Sequence, residues 1–128
     1  MLSRKLGARI AVILLVIHGL IEVFGLFMPE RMTQNLQFFS GMGKSQIAAN
    51  SISIVLLGAT WGITRWVAAW GIWTFKKWAL VLGIVISVIT IVTALSVIPA
   101  GVVDTLLTGP VLMLLLHTWF GNEKKEIA

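Results

Sequence analysis

Three ionisable residues stand in otherwise apolar stretches of this chain: His18, Glu22 and Arg65. His18 and Glu22 are one helical turn apart, so on a helix they share a face. An imidazole beside a carboxylate can relay a proton, and each group is also a metal ligand. Two ligands at this spacing do not specify a metal without a third from elsewhere, so no metal site is expected. A haem needs two histidines facing each other at one depth. His18 is mid-run and His117 is near the end of the last run, which does not give that geometry. The plainest reading of His18 is a neutral core histidine with both nitrogens satisfied. Glu22 and Arg65 have an obvious use for each other. Either alone would be a lone charge in a low-dielectric interior, and paired they remove that cost.

Other chemistry is excluded by what the chain lacks. It has no cysteine, hence no thiolate nucleophile, disulfide or Cys-ligated metal. The stretch GMGKS (residues 41–45) ends like a phosphate-binding loop, but the full pattern needs a glycine where Phe38 stands. No nucleophile–base pair or nucleotide motif is legible, so no cofactor is expected and an enzyme is not the favoured class.

The elements that carry these residues follow from hydropathy. The 128 residues are 58% hydrophobic and 12% charged, with mean hydropathy +0.96. Soluble domains carry about twice that share of charge, so the excess apolar surface must face lipid. Apolar runs cover about 10–28, 46–73, 78–98 and 102–120. Each is long enough for a transmembrane helix, and the second is long enough to tilt or to extend past an interface. The expectation is an all-α, single-domain integral membrane bundle of four antiparallel helices. The first run follows basic residues, as in a signal peptide. Pro29-Glu30-Arg31 follows it, with no small-residue cleavage site, so it is read as a retained helix. Phe75-Lys76-Lys77-Trp78 and Pro99-Ala100-Gly101 mark tight turns.

The charge of +5 falls in short clusters between apolar runs, which suits a membrane surface and not nucleic acid. With the N-terminus cytoplasmic, Arg4, Lys5, Arg9, Lys76, Lys77, Lys124 and Lys125 lie inside, and only Arg31 and Lys44 outside. The positive-inside rule therefore predicts cytoplasmic N and C termini in the cell membrane. Trp73, Trp78 and Trp119 fall at the same inner edge, and Phe38-Phe39 at the outer one.

Helical spacing places Ser51, Gly58, Gly62, Arg65 and Ala69 on one stripe of the second helix, so Gly58 and Gly62 form a close-packing motif beside the arginine. Gly83, Ser87, Thr90 and Ala94 form a similar stripe on the third helix and are expected to pack. Asp104 is expected to cap the fourth helix. Pro110 should kink it, leaving a carbonyl for Thr105 or Thr108.

The stretches GIWTFKKWA (71–79) and HGLIEVFG (18–25) resemble small, uncharacterised prokaryotic inner-membrane proteins of four helices. That resemblance implies topology and prokaryotic origin and carries no activity. The expected function is a non-enzymatic binding or accessory subunit. Its surroundings are the lipid bilayer, and its expected partners are a second copy or another membrane protein. The alternative is a small transporter or amphipathic-ligand binder using Glu22, Arg65 and His18.

Overall fold

The structure, a computed structural model, describes residues 2–25, 44–96 and 101–121, with the backbone alone for 44–55. Four helices account for nearly all of it: α1 Arg4–Gly25, α2 Lys44–Trp73, α3 Lys77–Ser96 and α4 Gly101–Phe120. The expectations about Phe38-Phe39, Arg31, Ser51, Pro99-Ala100, Lys124 and Lys125 lie outside the residues or side chains described.

α1 begins at Arg4, well before the apolar run at Ile10. The cause is local: the Ser3 hydroxyl accepts the Leu6 N–H at 3.2 Å, so Ser3 caps the helix ahead of its basic first turns. α2 has 30 residues, about 45 Å at the helical rise. It closes with Lys76 N–H on Gly71 O at 2.8 Å and Phe75 N–H on Ile72 O at 2.9 Å. Phe75 takes the left-handed position of this Schellman cap, φ 55°, where glycine is usual.

The helices pack as a ring. α1 touches α2 and α4, α3 touches the same two, and no contact crosses the diagonals among the described residues. The first turn of α1 lies against the last turn of α4. Arg4 Nε donates to Thr118 O at 2.7 Å, and His117 Nε2 donates to Leu2 O at 3.0 Å. His117 thus ties the segment before α1 to the last turn of α4.

Each inward stripe changes character along its length. On α1, Ala8, Ala11, Val12 and Leu15 are buried, and the same face continues to His18 and Glu22. On α2, Ile72, Ala69 and Ala68 lead to buried Arg65. On α4, Leu115 and Val111 lead to Thr108 and Asp104. Ala8, Leu15, Ala69, Ile72, Ala79 and Leu115 belong to one apolar core. The bundle therefore has two storeys: an apolar one toward the Arg4 end and a polar one above it.

The outward faces are apolar throughout. Ile13, Ile17, Ile21 and Phe24 on α1, Val81, Val85, Val88 and Val92 on α3, and Leu106 and Met113 on α4 are all exposed. Among the described residues, three helices are long and apolar enough to cross a membrane: α1, α3 and α4.

Candidate functional site

The polar storey draws one or more side chains from every helix. Arg65 on α2 is its centre and is only 2% exposed. Its Nη1 donates to both oxygens of Glu22 on α1, 2.6 Å to Oε1 and 2.5 Å to Oε2. Its Nη2 donates to Thr90 Oγ1 on α3 at 2.8 Å. Trp61, one turn earlier on α2, lays its ring against the guanidinium with 5.9 Å from Cζ to the ring centre. Carboxylate, hydroxyl and aromatic face together replace the water this cation would lose on burial.

His18 continues the network to α4. Its Nε2 lies 3.2 Å from Asp104 Oδ1 and 3.9 Å from Glu22 Oε1. Its Nδ1 lies 3.4 Å from Thr108 Oγ1. One neutral tautomer accounts for both bonds: Nε2–H donates to Asp104, and Nδ1 accepts the Thr108 hydroxyl. Among the described residues, no buried side-chain nitrogen or oxygen lacks a partner.

The row is graded in exposure. The His18 side chain is 3% exposed, that of Glu22 22% and that of Asp104 52%. It thus runs from half-open Asp104, through buried His18, to Glu22 and the enclosed Arg65. It is also unbalanced. Among the described residues two carboxylates face one guanidinium, so a single further positive charge neutralises the group. Around buried His18 that imbalance favours binding of a cation.

Close helix approach sets the spacing. A Cβ on Gly62 would sit 2.8 Å from Val23 Cγ2 and 3.0 Å from Gly19 O, and one on Gly19 would sit 2.6 Å from Trp66 Nε1. The Trp66 indole lies across this crossing, donating to Val16 O at 3.3 Å. Gly19, next to His18, and Gly62, one turn before Arg65, therefore form a close crossing of α1 and α2. Gly58 differs from Gly62: among the described residues a Cβ there would meet only Glu22 O, at 4.0 Å. Gly83 is tight, with Leu115 Cδ1 2.9 Å from its would-be Cβ. Ser87 is buried and donates to Gly83 O at 2.8 Å.

Three further placements differ from the sequence expectation. Asp104 lies within the first turn of α4, which begins at Gly101, and its carboxylate turns sideways to His18 instead of capping. Thr90, read as part of a packing stripe, is a hydrogen-bond acceptor for Arg65. Neither Thr105 nor Thr108 serves the carbonyl released by Pro110. The Thr105 hydroxyl donates to Gly101 O at 2.9 Å, Thr108 pairs with His18, and α4 stays helical through Pro110.

No protein-family model, curated protein or solved structure matches this chain.

Proposed function

We propose that this chain is a non-enzymatic integral membrane protein of the cell membrane, crossing it four times with antiparallel helices and cytoplasmic termini. In this reading it is a small binding subunit. Its site is the Asp104–His18–Glu22 row, and its ligand is a single positive charge, the cationic head of an amphiphile. The observation that carries the reading is the charge count around buried His18, where among the described residues two carboxylates stand against Arg65. The apolar outward faces and the basic Arg4 end support the placement in the bilayer. Half-exposed Asp104 supplies the entry, on the side away from the basic end. The apolar storey of Leu15, Ala69, Val111 and Leu115 below the row offers no polar path onward, which favours binding over conduction.

The test is calorimetric titration of the protein in lipid nanodiscs with decyltrimethylammonium. Binding should be saturable. Asp104→Asn should weaken it about tenfold, the worth of one charge-assisted contact. His18→Gln should weaken it as well, while the helical content stays unchanged. Absence of saturable binding, or equal affinity in Asp104→Asn, refutes the proposal.

A further inference from the structure

The opposite end of the bundle carries a second feature that the polar row does not explain. Where α1 begins, α2 turns into α3 and α4 ends, a cavity of about 260 Å³ opens to the surface. Arg4, Lys5, Lys76 and Lys77 line it, and Ala8 and Ile72 contribute apolar wall. Among the described residues no aspartate or glutamate lines it. Lys5, Lys76 and Lys77 are exposed, and none has a carboxylate partner among the described residues. Arg4 is held in place, its Nε on Thr118 O. Three lysines around one small hollow repel each other, and an anion in the hollow relieves all of them at once.

The cavity wall is stiff where it matters. Lys76 and Lys77 follow a turn locked by two backbone hydrogen bonds, and Phe75, also in the wall, is held at φ 55°. A residue other than glycine costs about 1–2 kcal/mol in that conformation, so the surroundings over-determine the turn and fix the backbone from which its two lysines extend. α3 starts at Lys77, so the positive end of its dipole opens at the same place.

We infer that this basic hollow is a binding site for a phosphate-bearing anion, seated between Lys5, Lys76 and Lys77 with its apolar portion against Ala8 and Ile72. The mixed lining selects against a bare inorganic ion and suits a phosphate ester with a short aliphatic part. A phospholipid head group has that chemistry, as does a soluble glycerol phosphate. Basic pockets between helices at a cytoplasmic membrane face hold anionic lipid heads in this way. The inference rests on the membrane reading only for the source of the ester, and it is independent of the Asp104–His18–Glu22 row.

The experiment is native mass spectrometry of the full chain released from micelles containing equal phosphatidylglycerol and phosphatidylcholine. A parallel titration uses glycerol 3-phosphate. One phosphatidylglycerol should be retained in preference to phosphatidylcholine. Each lysine changed to glutamine should lower its affinity about fivefold, and Lys5→Gln/Lys76→Gln/Lys77→Gln together about a hundredfold. Lys44→Gln, at the start of α2, should change nothing. Lipid retention that glycerol 3-phosphate does not displace assigns the site to the lipid head. Displacement by glycerol 3-phosphate assigns it to a soluble ester. Equal retention of both lipids with no glycerol 3-phosphate bound overturns the inference. So does a triple variant that binds as the wild type does, or a Lys44→Gln variant as weak as the triple one. Unchanged helical content and melting in the triple variant separate loss of binding from loss of fold.

Discussion

Removing one member of the Glu22–Arg65 pair should cost more than removing both. Arg65 is 2% exposed, so it has no route to water when its carboxylate is gone. Glu22→Gln leaves Thr90 and the Trp61 ring to hold a full charge, and breaking a buried pair in this way costs about 3–5 kcal/mol. The lower end is expected here, because the glutamine oxygen still accepts one bond from Nη1. Arg65→Gln is milder. The Glu22 side chain keeps 22% exposure and has His18 Nε2 at 3.9 Å, so the freed carboxylate retains partial hydration and a second neighbour. The double variant has neither charge and should recover much of the loss, giving a coupling of about 2 kcal/mol. The assay is reversible unfolding in mixed micelles by increasing dodecyl sulfate, followed by far-ultraviolet circular dichroism for the wild type, both singles and the double. If the two effects add within about 0.5 kcal/mol, the pair is not coupled and the account of the polar storey fails.

Two further outcomes are accessible by simple substitution. Gly62→Leu should destabilise the bundle by about 1–3 kcal/mol or more, since its first side-chain atom already collides with Val23 and Gly19. Gly58→Ala should be neutral, and equal effects at the two glycines would remove the α1–α2 crossing from its assigned place. For topology, cysteines introduced one at a time at Lys76 and Asp104 should be labelled by an impermeant maleimide only from the cytoplasm and only from outside, respectively. External labelling at position 76 would reverse the orientation.

Much of this arrangement was legible in the sequence because a lone charge among apolar residues has few ways to be satisfied. Glu22 and Arg65 stood out for that reason, and they do meet. The stripe containing Gly62 marked a close-packing face without naming its partner helix. Gly58 misled because a glycine pair at four-residue spacing signals close approach without saying which glycine is at the crossing, and the partner glycine, Gly19, lies on another helix. Asp104 and Thr90 were missed as site residues for a related reason. Each had an adequate local explanation, helix end or small-residue packing, and only the ring order of the helices brings them to His18 and Arg65. The start of α1 was set by Ser3, a short-range cap that a hydropathy reading passes over.

The composition of the polar storey also bears on why it exists. A bundle that needed only to hold together could fill this space with apolar side chains, which replace buried ion pairs at no loss and often with gain. Glu22 and Arg65 alone would at least be neutral. Asp104 and His18 do not contribute to that neutrality: they add a second carboxylate and a titratable ring that it touches. An uncompensated charge lowers the stability of the empty bundle and raises its affinity for whatever supplies the missing positive charge. The two effects have one origin, so they should move together. Asp104→Asn should stabilise the ligand-free protein while it weakens cation binding. Measured on the same samples, a variant that binds less and melts lower would show that Asp104 serves the fold, and the binding assignment would then have to be given up.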